Sequence, residues 1–249
     1  MIRLGEKQDL TVVKLVDFGV YLASEEDKED KVLLPCKQVP EGTKEGDVLC
    51  VFVYRDSKDR LIATTHEVRL TLGEVALLEV SQVGKIGAFL DWGLEKDLFL
   101  PFREQTKPVQ EGEDCLVALY IDKSNRLCAT MKLYPYLKTD GDYRKDDRIM
   151  GRVYEISENF GAFVAVDDLY SGLIPVREIY GDIRVGDMVA ARVTAVKEDG
   201  KLDLSIREKA YLQMEKDAER VMDAIREYDG VLPFNDNASP ETIKKEMQM

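Results

Sequence analysis

Phe160-Gly161-Ala162-Phe163-Val164, then Gly172-Leu173-Ile174-Pro175, then Val185-Gly186-Asp187: this stretch decides the fold, because the chain carries it three times. The glycine flanked by apolar and aromatic residues recurs as Phe18-Gly19-Val20-Tyr21-Leu22 and Ile86-Gly87-Ala88-Phe89-Leu90. The apolar pair running into proline recurs as Leu33-Leu34-Pro35 and Phe99-Leu100-Pro101. The last landmark recurs as Glu45-Gly46-Asp47 and Glu111-Gly112-Glu113. From the proline to that last glycine the separation is 11 residues in every copy. A repeat of such constancy reports architecture, not local composition.

A long strand signal follows each last glycine: Val48 to Tyr54, Leu116 to Ile121, Val189 to Val196. A polar turn and a closing strand complete the unit, as Arg60-Leu61-Ile62-Ala63-Thr64, Arg126-Leu127-Cys128-Ala129-Thr130 and Lys201-Leu202-Asp203-Leu204-Ser205. Turns such as Asp56-Ser57-Lys58-Asp59 and Glu198-Asp199-Gly200 use residues that tolerate tight backbone geometry. Each copy reads as five short strands in about 70 residues, the strand count of a small Greek-key barrel. Such a unit buries its own core, so the copies are tandem domains and not solenoid repeats. The expected fold is mainly β, with barrels over 1–67, 68–140 and 143–208 and an α-helical tail over 209–249. Lys138-Thr139-Asp140-Gly141-Asp142 is the most polar stretch between copies and is expected to act as a hinge. Between Arg69 and Gly73 there are almost no spare residues, so the first two copies are expected to move together.

Alternation along the second strand assigns faces, since neighbouring side chains of a strand point opposite ways. Ala162, Val164 and Val166 share the inner face, which sends Phe163 and Ala165 outward. The same parity places Val20, Leu22, Ala88 and Leu90 inside, with Tyr21 and Phe89 outside. One exposed ring is ordinary. Three at matching positions form a series that either packs on neighbouring domains or offers flat faces to nucleobases, at ~1–3 kcal/mol per base. Three such sites on one chain add through effective concentration.

Composition narrows the function further. Charged residues make up 33% and hydrophobic ones 45%, which is ordinary globular material. The net charge of -13 argues against indiscriminate phosphate binding. Residues 71–140 alone hold 8 Lys/Arg against 11 Asp/Glu, so any basic strip is local. No run approaches the ~20 apolar residues of a membrane span, and the first residues lack a secretory core. A cytoplasmic protein without a membrane partner is expected. The four cysteines are scattered, with no CxxC pair, and are expected to be buried free thiols. The one histidine, His66, leaves no histidine-rich metal site and is read as a surface or structural residue. The acidic clusters Asp27-Lys28-Glu29-Asp30 and Asp146-Asp147 read as solvated loops. Neither a cofactor nor catalysis is expected.

The third copy, from Gly151-Arg152-Val153 through Phe160-Gly161-Ala162-Phe163-Val164 to Val185-Gly186-Asp187, resembles the S1 RNA-binding repeat of ribosomal and ribonuclease proteins. That resemblance implies an oligonucleotide-binding (OB) barrel with an RNA surface of two aromatics around the strand-two glycine, a histidine on strand three, and an aspartate and arginine at the turn between strands four and five. By position it implies Phe18 with Tyr21, then Phe89, then Phe160 with Phe163. The charged pair falls on Asp56 with Arg60, on Asp122 with Arg126, and becomes Lys197 with Lys201 in the third copy. The histidine position holds Pro35, Pro101 and Pro175. In the second copy Ile86 stands at the first aromatic position, and Trp92 is the expected substitute.

Three such barrels, the second reading Gly87-Ala88-Phe89-Leu90-Asp91-Trp92-Gly93-Leu94, resemble the bacterial conserved virulence factor B family. The resemblance implies tandem S1-type barrels, a C-terminal winged helix and an RNA-binding regulatory role. From Glu208 to Tyr228 the apolar period becomes helical through Leu212, Val221, Met222 and Ile225, and Ser239-Pro240-Glu241 reads as a second helix start. The chain stops about ten residues later, so either it is truncated relative to that family or the tail forms only part of a winged helix, and DNA binding is not expected. Single-stranded RNA is the expected partner. The competing reading is a scaffold for polypeptide partners.

Overall fold

The computed structural model describes residues 1–179 and 182–207, together with 222, 223, 225 and 226. The chain divides into two units, Met1–Ile206 and Arg207–Met249. In the first unit the first copy comprises β1 (Lys7–Val16), β2 (Gly19–Ala23), β3 (Lys31–Pro35), β4 (Val48–Arg55) and β5 (Leu61–Thr64). The second comprises β6 (Val75–Val83), β7 (Gly87–Asp91), β8 (Leu98–Pro101), β9 (Asp114–Ile121) and β10 (Leu127–Thr130). The third comprises β11 (Arg148–Ser157), β12 (Gly161–Val166), β13 (Tyr170–Pro175), β14 (Met188–Val196) and β15 (Leu202–Ser205).

The first strand of each copy is long enough to serve two neighbours. A register shift at Val12/Lys14, Val80/Gln82 or Val153/Glu155 bends it, so its first half pairs with the fourth strand and its second half with the second. The repeated glycine starts the second strand because the third crosses it closely. A Cβ on Gly161 would lie 2.0 Å from the Ile174 carbonyl oxygen, and one on Gly19 would lie 2.1 Å from that of Leu34. Closure depends on a short parallel seam between the third and fifth strands. The seam is Leu33↔Ile62 in the first copy, and Gly172↔Leu202 with Leu173↔Asp203 in the third; both are closed barrels. The second copy keeps the strand order β10-β9-β6-β7-β8, and β8 lies beside β10, but their hydrogen-bonded ladder is absent. It is a five-stranded barrel open along its weakest seam.

Val20, Leu22, Ala88, Leu90, Ala162, Val164 and Val166 are all buried, as the alternation requires. The fourth strand has apolar residues on both faces in the first two copies. Val51 and Val53 fill the first barrel, while Phe52 and Tyr54 point the other way into the core of the second. Likewise Val117 and Leu119 fill the second barrel, while Leu116 and Ala118 meet Tyr154 and Ala165 of the third. In β14 the corresponding outer position is Arg192, ion-paired to Asp146 at 2.9 Å.

The segment after β10, expected to act as a hinge, is anchored against the barrels it joins. Leu133 and Leu137 are buried in the cluster between the second and third barrels. The Lys138 amide donates to the Leu169 carbonyl, and its own carbonyl accepts from the Ser171 amide, both at 2.9 Å. Within residues 138–142, Lys138 is thus tied into a backbone pairing with the third barrel, and the Thr139 carbonyl lies against Gly200. The cysteine expectation also needs correction. Cys115 and Cys128 are buried, whereas Cys36 and Cys50 are exposed, and all four are free. Cys50 is the third residue of β4, ahead of Phe52, where the strand meets the core of the second barrel. His66 is exposed. In the acidic loops, Asp27 accepts the Glu29 and Asp30 amides.

Beyond the barrels, Met222, Asp223, Ile225 and Arg226 are helical, and the Arg226 guanidinium pairs with Asp223 at 3.0 Å. The rest of the expected helical tail and partial winged helix lies outside the described residues. Among the described residues no helix is long and apolar enough to cross a membrane.

Candidate nucleic-acid interface

In the third copy Phe160 precedes the strand-two glycine and is 63% exposed; Phe163, outward on β12, is half-buried beside it, with ring centroids 6.4 Å apart. Phe163 also meets Tyr154, whose position at the β11 bulge turns it out of its own barrel and into the junction with the second. Burial pushes the Tyr154 phenol well above its ordinary pKa, and its hydroxyl has no hydrogen-bond partner. Phe163 therefore serves both readings: one side packs on a neighbouring domain and the other faces outward with Phe160.

The first copy repeats the arrangement. Phe18 is 55% exposed and meets Tyr21 edge to face, with centroids 6.3 Å apart. The second copy differs. Phe89 packs against Phe99, its cross-strand partner on β8, with centroids 5.4 Å apart. Ile86 is exposed, and its carbonyl accepts the amide of Phe102, itself 50% exposed. Phe99 thus gives Phe89 an aromatic neighbour where the Ile86 position gives none. Trp92 does not. It is 3% exposed, packs against Phe52 and Tyr54, and donates its indole N–H to the Lys96 carbonyl at 2.7 Å. Its place in the connection after β7 is where the first barrel lands, so the expected surface ring is a junction residue.

The three turns between fourth and fifth strands share one backbone design. Asp56, Asp122 and Lys197 each donate an amide to the carbonyl of the residue four later. Asp56 accepts the amides of Lys58 and Arg60 and the Arg60 guanidinium at 2.7 Å. Partial burial pushes the Asp56 carboxyl up, but these donors outweigh it and hold its pKa below the usual carboxylate range. Asp122 accepts the Ser124 and Arg126 amides, whereas the Arg126 guanidinium leaves its own turn for Asp59 of the first copy, at 3.5 Å. The Arg55 guanidinium donates back to the Asn125 carbonyl at 3.0 Å. In the third copy Lys197 pairs with Asp203 at 3.0 Å and Lys201 with Asp199 at 2.7 Å. The Asp199 bond raises the Lys201 pKa, and the Lys201 bond lowers that of Asp199.

Tyr134 belongs to no repeat, so comparison of the three copies does not single it out. It meets Phe163 edge to face at 5.9 Å, and the Lys201 ammonium lies 5.3 Å from its ring centre. A cation also repeats outside the positions that the family resemblance implies. Each third strand ends at its proline in a single 3-10 turn, Cys36–Gln38, Phe102–Glu104 or Val176–Glu178, whose middle residue is Lys37, Arg103 or Arg177. All three are exposed. The Cys36 amide donates to the Phe18 carbonyl at 3.0 Å, which ties this turn to the ring-bearing loop. The signal was in the sequence: a basic residue stands two positions after all three prolines.

Residues 4–66 and 72–132 match the family described as S1 domain, and residues 142–207 the family described as S1 RNA binding domain. An uncharacterized protein of Bacillus subtilis, YitL, is 30% identical over an alignment covering 99% of this chain and 85% of that one. The conserved virulence factor B of Staphylococcus saprophyticus is 28% identical, with 82% of this chain and 71% of that one covered. A Streptococcus pneumoniae crystal structure, a multidomain protein with nucleic acid binding domains, shares the fold at a TM-score of 0.52 and 22% identity, covering 99% of this chain and 88% of that one. The three repeats are S1 domains, and the chain belongs to the family of YitL and conserved virulence factor B.

Proposed function

We propose that the chain is a non-catalytic binder of single-stranded RNA and a post-transcriptional or expression regulator, with the barrels of 1–67, 68–140 and 143–208 as its three binding domains. One observation carries this reading. Every copy pairs outward rings at the strand-two position with an exposed basic residue on the adjoining 3-10 turn: Phe18 and Tyr21 with Lys37, Phe89 with Arg103, Phe160 and Phe163 with Arg177. Rings that stack on bases need no sequence complementarity, and a cation beside them suits the phosphate of the stacked nucleotide. This local pairing also accommodates a net charge of -13, since the surface need not be basic elsewhere.

The family description of the third copy as RNA binding agrees with this reading. A fluorescence titration of the full chain tests it, using a short unstructured RNA, the matching single-stranded DNA, an RNA duplex and a basic peptide. RNA binding in preference to the duplex and the peptide is the expected result. Peptide binding without RNA binding would replace the proposal with the scaffold reading.

A further inference from the structure

We infer that the segment between the second and third barrels is part of the third barrel's RNA site, with Tyr134 as its contact residue and the positioning residue of Lys201. The inference rests on the RNA-binding reading and deepens it. Tyr134 leads a tight turn in which the Leu133 carbonyl accepts the amides of Tyr136 and Leu137 at 2.8 and 3.2 Å. Leu133 and Leu137 are both buried between the barrels, so the turn is anchored on either side. Tyr134 itself remains 49% exposed. Its ring stands at 89° to that of Phe163, and Phe163 in turn meets Phe160. Three rings from two parts of the chain thus adjoin. Lys201 rests its ammonium over the Tyr134 ring, a cation–π contact, while Asp199 holds it from the turn. A base stacked beside Phe163 would have its phosphate within range of a cation already in place.

A second observation fixes the segment to this site. The left-handed position in the turn between the fourth and fifth strands is Asp59 in the first copy and Asn125 in the second, at φ of 65° and 58°. In the third it is Gly200, at φ of 80°. Asn or Asp serves such a turn well, so conformation alone does not demand glycine here. The reason is the neighbour: a Cβ on Gly200 would lie 1.8 Å from the Thr139 carbonyl oxygen. Gly200 lacks a side chain because the inter-barrel segment lies directly on the turn that carries Lys201.

The test is an anisotropy titration of the full chain with a labelled unstructured RNA, comparing Y134A, Y134F, K201A, the Y134A/K201A double variant, G200N and F160A with the natural sequence. Y134A is expected to weaken binding about tenfold, as loss of one stacking ring does. Y134F, which keeps the ring, is expected to bind within about twofold. G200N, which keeps the turn conformation but displaces Thr139, is expected to weaken binding while the melting transition of the barrels persists. K201A combined with Y134A is expected to cost less than the product of the two single losses, because Tyr134 acts partly through Lys201. Normal binding by Y134A alongside impaired binding by F160A would overturn the inference and leave the RNA-binding reading standing. Normal binding by both would overturn the inference together with the ring site of the third barrel while RNA binding by the chain stands, and no RNA binding by the natural protein would overturn both readings.

Discussion

Trp92 meets Phe52 edge to face across the junction of the first two barrels, ring centroids 5.7 Å apart at 85°. Phe52 is the outward residue of β4, so this contact joins one barrel's outer face to the next one's core. W92A is expected to destabilise the first two barrels by about 3–5 kcal/mol, the range for deleting a large buried ring. W92F should cost less, since it keeps most of the packing but loses the bond to Lys96. Urea unfolding followed by circular dichroism measures both. If W92A folds with unchanged stability and binds RNA weakly, Trp92 is a surface contact after all.

Replacing Tyr21, Phe89, Phe160 and Phe163 together with alanine should remove most affinity for unstructured RNA. Each ring is worth about 1–3 kcal/mol where a base stacks on it. The largest single share belongs to Phe160, the most exposed of the four. Phe163 differs, because its ring also contacts Tyr154 at the barrel junction. F163A should therefore lower the melting temperature as well as the affinity, whereas F160A should lower only affinity. Equal melting shifts for the two would contradict this division.

The strand-two glycines, the alternation of faces and the spacing to the last glycine made the barrels legible in sequence, because each is a local backbone or packing constraint. Long-range relations were not legible. Trp92 read as a surface ring since nothing local reveals that the first barrel covers it. Residues 138–142 read as a hinge since polarity marks surface, and surface backbone can still be paired. The outer residues of β4 and β9 did carry a signal: Phe52 and Ala118 are apolar at the position where the third copy has Arg192. Outer-face apolarity in two copies of three marks two barrel junctions and an end. Tyr134 had no repeat partner to compare with, and only its neighbours in space give it a role.

Limited proteolysis of the full chain should find the two barrel junctions comparably resistant. At the start of residues 138–142, Lys138 is held by its two backbone bonds and Thr139 lies against Gly200. Cleavage there before any cut near Arg69 to Gly73 would restore the hinge. A G200N variant should become selectively sensitive at this second junction.

Thiol titration should separate the cysteines into classes. Burial pushes Cys115 and Cys128 up to about 11, so at pH 8 both stay protonated as well as inaccessible. Cys36 and Cys50 are exposed, but burial of its sulfur and the Asp9 carboxylate raise the pKa of Cys50. Two thiols should react with a disulfide reagent in the folded protein, Cys36 faster than Cys50. The other two should react only on unfolding. Four fast thiols would mean that the second barrel opens readily along the seam between β8 and β10.

Salt dependence distinguishes the rings from the cations. Each phosphate neutralised on a single strand contributes about 0.7 to the slope of log affinity against log salt. If Lys37, Arg103 and Arg177 each hold one phosphate, together they contribute about 2 units. Changing all three to glutamine should flatten the slope by about that amount. The F160A variant should instead lower affinity at every salt concentration and leave the slope alone. The two kinds of loss are thus orthogonal in one set of titrations. If the triple glutamine variant keeps the natural slope, the phosphates are held by other cations, and the pairing of ring with 3-10 turn is not the binding unit.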